Sequence, residues 1–312
     1  MMGGRAKVQG VFAAAFTAFS DDGAVDPART ACHAGALIDR GCDGIALLGT
    51  TGEANSLSLA ERKRVLETAV EAGVPPHKLL PGTGVCSAPE TIELTRHARS
   101  LGVVAVLLLP PFYYPDPSEV GLIAHYSRVI DGVGDNALRV LLYHIPQNTG
   151  VPITPELIAA LDRRFPGVIV GVKDSGGDID RMLALVALFP HLAILAGADP
   201  LLAPLLRAGG AGCITATSNL IAPLLARLRD RVRAGEGPAE TAELEHCIAE
   251  ARGLFQRWPQ IPALKAAQAA ITGERAWGNV RPPLLPLDDN DKQALVAAMT
   301  AAGLTTKGEE TS

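Results

Sequence analysis

The chain has 312 residues, of which 48% are hydrophobic, and a formal net charge of −5. This length fits two ordinary domains or one large α/β barrel, and the composition allows a sizeable buried core. The negative charge offers no broad basic field, so we do not expect a nucleic-acid partner. No apolar run reaches the roughly 18 residues that a membrane helix needs, and the N-terminus lacks the apolar core of a signal peptide. We therefore expect a soluble, cytoplasmic protein.

The cysteines give a second indication of the compartment. They are odd in number, widely spaced and free of C-x-x-C pairs: Cys32, Cys42, Cys86, Cys213 and Cys247. This pattern fits reduced thiols in a cytosol better than a disulfide framework or a zinc site. We expect neither a bound metal nor a disulfide.

Short apolar runs alternate with longer amphipathic segments, and the alternation repeats eight times. We predict strands at residues 10–18, 43–48, 78–82, 103–109, 139–143, 167–173, 193–195 and 212–215. We predict helices at residues 27–40, 59–72, 89–101, 118–132, 155–163, 180–189, 200–208 and 222–233. Strands that are apolar on both faces and separated by helices are typical of a parallel sheet. Eight such units predict an α/β protein with a TIM (β/α)8 barrel; a doubly wound sheet is the open alternative.

The strand pattern stops near residue 237, and the rest of the chain is helical in character. Prolines separate three further predicted helices, at residues 240–257, 261–271 and 289–302. We therefore divide the chain into a barrel that carries the active site, a C-terminal helical extension and a polar tail. The bounds are 1–236 for the barrel, 237–304 for the helical region and 305–312 for the tail, which we expect to be disordered.

Lys173 ends an apolar strand rich in Val and Ile, and a turn follows it at once. The chain has 7 lysines and 21 arginines, and the other lysines lie at chain ends, at element edges or among polar helical residues. Burial of an unpaired ammonium is costly, and a desolvated lysine loses its proton readily and becomes a nucleophile. Lys173 is therefore a candidate catalytic residue. The alternative is a lysine that merely reaches solvent at a strand end.

Polar and aromatic residues follow the predicted strands at the end where a barrel has its active site. They are the Gly49-Thr-Thr-Gly-Glu53 turn, the pair Tyr113 and Tyr114, the pair Tyr143 and His144, Gly197, and Ile214 with Thr215. Each has a structural alternative, such as a capping threonine, an aromatic pair at the rim or a core tyrosine, and for His144 we favour a structural role. No metal-ligand spacing or serine-nucleophile signature is present. The functional interpretation depends on their convergence around one lysine.

An amine, a tyrosine hydroxyl and a threonine hydroxyl around one cavity fit one kind of chemistry. The amine attacks a ketone to give a Schiff base, which is an electron sink for the neighbouring carbon. Forming and breaking the imine needs proton transfers, which a buried tyrosine with a threonine relay can carry. The backbone amides of a Gly-Thr-Thr turn after a strand form an anion pocket that suits the carboxylate of a 2-oxo acid.

Four motifs carry a resemblance to a known family. They are Gly49-Thr-Thr-Gly-Glu53, Pro110-Pro-Phe-Tyr-Tyr114, Tyr143-His-Ile-Pro146 and Gly171-Val-Lys-Asp-Ser175. In order and spacing they resemble the dihydrodipicolinate synthase / N-acetylneuraminate lyase family of pyruvate-dependent class I aldolases, and the likeness covers nearly the whole chain. It implies a lyase with a TIM barrel and a C-terminal helical part, a homotetramer built as a dimer of dimers, and no metal or organic cofactor.

The resemblance also implies roles by position. Lys173 corresponds to the Schiff-base lysine and Tyr143 to the proton-shuttling tyrosine. Thr50 corresponds to the residue that links Tyr143 to a second tyrosine, Tyr113, which in this family reaches into the neighbouring subunit's site. Thr51 and its amide would hold the pyruvate carboxylate. The other expected substrate contacts are Gly49, Ile214, Asn148, Ser175 and Gly197.

Two departures from the family bear on the second substrate and on regulation. Lysine-biosynthetic members bind the aldehyde's carboxylate with an arginine where this chain has Asn148, and a neutral amide is not a conservative replacement. Leu59 and Arg62 stand where feedback-inhibited members have histidines, so we do not expect inhibition by lysine. The segments around Asn148 and Lys173 are more similar to the family's 4-hydroxy-2-oxoglutarate aldolases, although those usually depart from the Gly-Thr-Thr-Gly-Glu form retained here.

We predict a carbon–carbon lyase, a catabolic class I aldolase or dehydratase, that forms a Schiff base between Lys173 and pyruvate or a related 2-oxo acid. Its expected substrate is a hydroxylated 2-oxo acid, such as a 2-oxo-3-deoxy sugar acid or 4-hydroxy-2-oxoglutarate. The runner-up is 4-hydroxy-tetrahydrodipicolinate synthase, which condenses pyruvate with aspartate semialdehyde. The alternative from another class is a non-catalytic barrel that binds a 2-oxo acid. We expect the selectivity to reside in Gln147, Asn148 and residues 175–178.

Overall fold

The computed structural model describes residues 8–304, and within this range seven strands form one parallel sheet. The strands are β1 (Gly10–Ala14), β2 (Gly44–Ala46), β3 (Val106–Leu108), β4 (Val140–His144), β5 (Ile169–Asp174), β6 (Ala193–Ala196) and β7 (Gly212–Thr215). Their order across the sheet is β2-β1-β7-β6-β5-β4-β3. Strands β2 and β3 are therefore the two edges that must meet if the sheet is to close.

A short segment at residues 79–83 joins these two edges. The Leu80 N–H donates to the Ile45 carbonyl at 2.9 Å, and the Leu107 N–H donates to the Pro81 carbonyl at 2.9 Å. This segment is the third predicted strand, and it pairs through isolated bridges rather than a continuous ladder. The interruption follows from Pro81, which has no N–H to donate. The predicted TIM (β/α)8 barrel is thus confirmed, and the doubly wound alternative is wrong.

Helices lie between the strands and cover the outside of the barrel. In the described range they are α1 (Pro27–Asp39), α2 (Leu59–Glu71), α3 (Ala88–Ser100), α4 (Glu119–Val133), α5 (Pro146–Thr149), α6 (Pro155–Arg164), α7 (Ile179–Leu188), α8 (Leu202–Arg207), α9 (Ser218–Arg233), α10 (Pro238–Phe255), α11 (Gln260–Thr272) and α12 (Asp289–Ala301). The short α5 was not predicted. Helix α9 begins at Ser218 rather than at residue 222 because a kink at Ile221, before Pro223, joins two helical pieces.

The strands bury side chains on both faces, which explains their continuous hydrophobic runs. Along β1, Val11 and Ala13 pack among the helices, whereas Phe12 belongs to a separate cluster inside the barrel. This alternation is the two-residue period of a strand. Tyr143 and Ile214 also belong to the interior cluster. The barrel interior is therefore apolar up to the C-terminal ends of β4 and β7, where these residues stand.

The C-terminal helices α10, α11 and α12 pack on one another, and α10 and α11 also pack on α9. Helix α9 ends at Arg233 and α10 begins at Pro238, so the predicted division at residues 236 and 237 falls in the connection between them and stays a prediction. The predicted disordered tail at 305–312 lies outside the described residues. Between residues 8 and 304, the structure contains no helix long and apolar enough to span a membrane.

Candidate active site

Strands β4 and β5 place Tyr143 and Lys173 side by side at the C-terminal end of the barrel. The parallel register pairs Tyr143 directly with Lys173. The next pair, His144 with Asp174, points to the other face because side chains alternate along a strand. The Lys173 ammonium lies 4.1 Å from the centroid of the Tyr143 ring, and Lys173 is 5% exposed. The candidate nucleophile is thus buried against the candidate proton carrier.

The Tyr143 hydroxyl is surrounded by polar side chains. Its oxygen is 3.5 Å from Thr50 Oγ1, and Lys173 and Ser175 are its other hydrogen-bonding neighbours. Burial acts to raise the pKa of Tyr143, but the positive charge of Lys173 and the hydrogen bonds from these side chains together lower the pKa below that of free tyrosine. A tyrosine that releases its proton more readily is suited to general acid–base work.

These side chains line a cavity of about 330 Å³, a size suited to a small molecule. The structure brings eight of the ten predicted site residues together here: Thr50, Thr51, Tyr143, Asn148, Lys173, Ser175, Gly197 and Ile214. The rest of the lining is Ala14, Ile145, Gln147, Gly177, Ala198, Ala216, Arg252, Pro259, Gln260, Ile261, Pro262 and Leu284. The strand ends supply one part of the lining, and the C-terminal helical region supplies another.

The turn after β2 offers backbone donors to the cavity. It is closed by the Glu53 N–H, which donates to the Thr50 carbonyl at 3.0 Å. Within the described residues, the N–H groups of Thr50 and Thr51 donate to no protein acceptor. Both residues line the cavity, so these amides are available to an anion such as a carboxylate.

Gly49 and Tyr113 are the two predicted site residues that do not line this cavity. Gly49 borders a smaller cavity of about 20 Å³, and its carbonyl accepts the Ala54 N–H at 3.2 Å. Its contribution within the chain is to the shape of the turn. Tyr113 is 76% exposed and packs edge-to-face on Tyr114, with ring centroids 5.3 Å apart. Its reach into a neighbouring subunit's site stays a prediction.

Ser175 is held in place by the backbone of the neighbouring loops. Its N–H donates to the His144 carbonyl at 2.8 Å, and its carbonyl accepts from Gln147 Nε2 at 2.8 Å. Gly197 lies directly against it, since a Cβ at Gly197 would stand 2.1 Å from the Ser175 Oγ. Glycine at residue 197 therefore leaves the space that the Ser175 side chain occupies beside Tyr143.

On the outer face of the same strands, a polar network fixes the ends of β4 and β5. The His144 Nδ1 accepts the Ile153 N–H at 3.0 Å, and burial lowers the pKa of His144 despite the opposing charge of Asp174. The fully buried Asp174 accepts from the Gly176 N–H and from Arg181 Nε, each at 2.9 Å. His144 thus has a structural role, as favoured from the sequence.

A buried ion pair that the sequence did not reveal ties the turn after β2 to the C-terminal helices. Lys265 of α11 donates to Glu53 Oε1 at 2.7 Å and to the Thr17 carbonyl at 2.9 Å. Both charged side chains are 0% exposed, and the other Glu53 oxygen accepts the Arg281 N–H at 2.9 Å. The expectation that lysines other than Lys173 lie in polar surroundings is therefore wrong for Lys265.

Arg252 is a second site residue that the sequence did not single out. It lies on α10, lines the cavity, and donates from Nη1 to Asp199 Oδ2 at 3.0 Å. Among the described residues that line the cavity, Lys173 and Arg252 are basic and none is acidic. The cavity is thus electrostatically suited to anionic molecules.

The described residues contain no group of three or more His, Cys, Asp or Glu side chains that could hold a metal ion. The chemistry that the site can perform follows from its protein groups. A buried amine can add to a carbonyl carbon, a tyrosine of lowered pKa can move the protons, and the free amides of the threonine turn can hold a carboxylate.

Comparison with known proteins agrees with this arrangement. Residues 7–302 match the model of the dihydrodipicolinate synthetase family. An uncharacterised DapA-like lyase of Chloroflexus aurantiacus is 38% identical over 294 residues, which cover 94% of this chain and 96% of that protein. The 4-hydroxy-tetrahydrodipicolinate synthase of Kineococcus radiotolerans is 34% identical over 294 residues, which cover 94% of this chain and 93% of the relative.

Comparison with solved structures supports the barrel fold. YagE, a prophage protein of E. coli from the dihydrodipicolinic acid synthase family, was solved in complex with pyruvate. It has a TM-score of 0.87 and 31% identity, and the match covers 96% of this chain and 100% of that one. Dihydrodipicolinate synthase from Agrobacterium tumefaciens has a TM-score of 0.86 and 32% identity, over 94% of this chain and 99% of that one. The present chain belongs to the dihydrodipicolinate synthetase family and is a lyase.

Proposed function

We propose that this lyase forms a Schiff base between Lys173 and pyruvate, or a related 2-oxo acid, and uses it to break a carbon–carbon bond. The observation that carries the proposal is the burial of the Lys173 amine, 4.1 Å from the centroid of the Tyr143 ring, in a cavity also lined by Thr51, whose N–H donates to no acceptor in the described residues. The complex of the related YagE with pyruvate supports the choice of ligand.

The reaction proceeds through an imine. The Lys173 Nζ attacks the ketone carbon of the 2-oxo acid, a C–N bond forms, and the carbonyl oxygen leaves as water after protonation. The resulting iminium accepts the electron pair of the neighbouring carbon–carbon bond, so the bond breaks and an aldehyde leaves. Tyr143 protonates the departing oxygen and takes the proton of the substrate hydroxyl, with Thr50 as its relay. The enamine left on Lys173 takes up a proton on its terminal carbon, and water then hydrolyses the resulting iminium, which releases pyruvate and restores the amine.

Binding of the 2-oxo acid uses the threonine turn after β2 and Ile214 of β7. The Thr51 amide and hydroxyl hold the carboxylate, and Ile214 packs against the methyl group of pyruvate. No metal or organic cofactor takes part. We further propose a cytoplasmic homotetramer in which Tyr113 completes the relay of a neighbouring subunit. The high exposure of Tyr113 in the single chain, at 76%, supports this role.

The preferred substrate of the proposed reaction is a hydroxylated 2-oxo acid. Asn148 lines the cavity, so the selectivity that the sequence assigned to this position falls within reach of a bound substrate. The second candidate is 4-hydroxy-tetrahydrodipicolinate synthase, which the name of the Kineococcus relative favours. Against it stands the neutral amide of Asn148 in the place of a carboxylate-binding arginine.

Borohydride reduction in the presence of pyruvate tests the Schiff base. We expect a three-carbon adduct on the peptide that contains Lys173 and none in the Lys173→Ala variant. Tyr143→Phe should still form the adduct, but more slowly, by roughly 10²-fold or more for a lost proton carrier. A non-catalytic 2-oxo-acid-binding barrel would bind pyruvate without an adduct, and that result would overturn the proposal.

A turnover assay separates the two candidate activities. Pyruvate release is measured over a panel of 2-oxo-3-deoxy sugar acids and 4-hydroxy-2-oxoglutarate, next to condensation of pyruvate with aspartate semialdehyde. We expect brisk release from one or more of the hydroxylated acids and slow condensation. Brisk condensation with no release would make the synthase the correct assignment.

A further inference from the structure

The part of the cavity formed by the C-terminal helical region carries a cation that the proposed reaction leaves unused. We call this part the helical wall and define it as Arg252 with residues 259–262. The Arg252 side chain is 19% exposed, and its Nη1 donates to Asp199 Oδ2 at 3.0 Å. Within the described residues, its Nε and Nη2 groups donate to no protein acceptor. The guanidinium therefore keeps donors free on a side chain that lines the cavity.

Asp199 holds Arg252 from outside the cavity. It follows β6, is 0% exposed, and does not line the cavity. One of its oxygens, Oδ1, has no hydrogen-bond partner in the described part of the chain. A buried carboxylate of this kind restricts the rotamers of its arginine partner and leaves the rest of the guanidinium fork to a ligand. That fork matches a carboxylate with two parallel N–H···O bonds.

The remainder of the helical wall, like Arg252, is electrostatically positive. Helix α11 begins at Gln260, and the residue before it, Pro259, provides no side-chain cap. Its first N–H groups therefore remain without a capping acceptor beside Arg252, and the N-terminus of a helix carries partial positive charge. No acidic side chain is among the described residues that line the cavity, and Asp199, which does not line it, balances the charge of Arg252.

The proposed reaction uses one carboxylate, the one next to the ketone, and assigns it to the Thr51 amide. Lys173 is consumed as the nucleophile. Asp199 already balances the charge of Arg252, so what is left for a second anionic group is the pair of free donors, Nε and Nη2. Asn148 provides no charge of its own. In a site with an arginine at residue 148, that arginine would bind the aldehyde's carboxylate. Here Arg252 is the arginine available for this role.

We propose that Arg252 is a specificity-determining residue that binds a second carboxylate at the far end of the substrate, with Asp199 as its positioning residue. The inference rests on the proposed Schiff-base function and narrows its substrate class to 2-oxo acids that carry a distal carboxylate. Among the hydroxylated acids considered above, 4-hydroxy-2-oxoglutarate belongs to this class, and 2-oxo-3-deoxy sugar acids that end in a neutral hydroxymethyl group do not.

Borohydride trapping on Lys173 gives a test that needs no knowledge of the natural substrate. The probes are two diacids, 2-oxoglutarate and 2-oxoadipate, and two monoacids of matching chain length, 2-oxopentanoate and 2-oxohexanoate. The measured quantity is the half-saturating concentration for adduct formation. We expect the wild-type protein to trap at least one diacid at a concentration about 10-fold lower than its matched monoacid, in line with one charge-assisted bidentate contact.

The variants separate recognition from folding. Arg252→Gln should remove the preference for the diacid while trapping pyruvate as the wild type does. Arg257→Gln is the matched control, because Arg257 stacks on Trp258 at 4.9 Å and does not line the cavity; it should keep the preference. Asp199→Asn should reduce the preference for the diacid. Its thermal unfolding is followed to show that the variant still folds.

Four outcomes decide the inference and the proposed function on which it rests. A wild-type protein that traps matched monoacids and diacids equally, or an Arg252→Gln variant that keeps the preference, would overturn it and leave the Schiff base intact. Absence of pyruvate trapping in the wild type would overturn the proposed function itself. Loss of the preference in Arg252→Gln, with pyruvate trapping and the Arg257→Gln control unchanged, supports the role of Arg252.

Discussion

The floor and the helical wall of the cavity are built in different ways. The floor, which we define as Thr50, Thr51, Tyr143 and Lys173, stands at strand ends or in the turn after a strand. Paired strands fix these positions, as the register between Tyr143 and Lys173 shows. The helical wall instead depends on a side-chain contact between α10 and the loop after β6. Together with the proposed roles of Lys173 and Arg252, the difference leads us to propose a division of labour, with chemistry on the strands and selectivity on the helices.

The two regions are joined at one buried contact. The Glu53–Lys265 ion pair links the turn that carries Thr50 and Thr51 to helix α11, whose first residues belong to the helical wall. Burial lowers the pKa of Lys265 while Glu53 opposes that effect. Changes in the helical region can therefore reach the floor through this contact.

Replacement of Lys173 should have the largest effect on activity. Lys173→Ala removes the nucleophile, so we expect turnover to fall by roughly 10⁴-fold or more. Pyruvate release from the best substrate measures the loss, and thermal unfolding should show an intact fold, because the variant removes a buried cation and loses only its contacts with Tyr143. Activity within tenfold of the wild type would show that the floor does not carry the chemistry.

Replacement of Lys265 should have the largest effect on stability. Lys265→Met leaves Glu53 charged and unpaired in a fully buried position, which costs roughly 3–5 kcal/mol of the free energy of unfolding. Urea unfolding measures this loss of stability. Lys292→Met is the matched control, since Lys292 pairs with Asp289 at the surface and its loss should cost less than about 1 kcal/mol. The double variant Lys265→Met with Glu53→Gln should recover part of the lost free energy of unfolding. Equal losses in Lys265→Met and Lys292→Met would contradict the coupling of the two regions.

A smaller effect on activity is expected when the floor is disturbed indirectly. Gly197→Ala places a methyl group 2.1 Å from the present position of the Ser175 Oγ, so Ser175 must move away from Tyr143. A displacement of about 1 Å near the reacting groups lowers turnover by roughly 10²-fold. Gly35→Ala is the control, because a Cβ there meets no atom within 4 Å. Unchanged turnover in Gly197→Ala would remove Ser175 from the site.

The smallest effect concerns the attachment of the C-terminal segment to the barrel. Arg281 donates to both oxygens of Glu61, at 3.0 and 2.6 Å, and this hydrogen bonding lowers the pKa of Glu61 from 4.5 to about 2. Because the folded pKa is depressed, the stabilisation is present above pH 4.5 and is lost as the pH falls through about 2. Glu61→Gln should therefore cost about 1 kcal/mol at neutral pH.

Urea unfolding of the Glu61→Gln variant across this pH range checks the sign. Its deficit relative to the wild type should shrink between pH 4.5 and about 2. Glu71→Gln serves as the control, because Glu71 lies at the surface and approaches Arg64 at 3.8 Å. A deficit that grows on acidification would mean that the ion pair with Arg281 does not stabilise the fold.

The sequence could predict the barrel and its floor because both depend on local patterns. Apolar strands separated by amphipathic helices indicate the barrel, and the rule that barrel strands end at the active site places Lys173 and Tyr143 together. The interruption at Pro81 changed the ladder without changing the topology. These features follow from short stretches of sequence, each read independently of the rest of the chain.

The helical wall could not be predicted in the same way. Arg252 lies in a helix with charged residues on most sides, so its sequence context resembles an ordinary solvent-exposed face. Lys265 likewise stands in an alanine-rich helix, and its burial depends on Glu53, which is more than 200 residues earlier in the chain. Contacts between distant segments decide both positions. A local pattern contains no signal for them.

The most direct test of the division of labour compares borohydride trapping in three proteins: the wild type, Lys173→Ala and Arg252→Gln. Each is reduced with pyruvate and with 2-oxoglutarate, and the peptide that contains residue 173 is mapped by mass. We expect adducts of both acids in the wild type, none in Lys173→Ala, and in Arg252→Gln an undiminished pyruvate adduct with weakened trapping of 2-oxoglutarate. A wild-type protein without a pyruvate adduct on Lys173 would contradict the central claim that the strand-built floor performs Schiff-base chemistry.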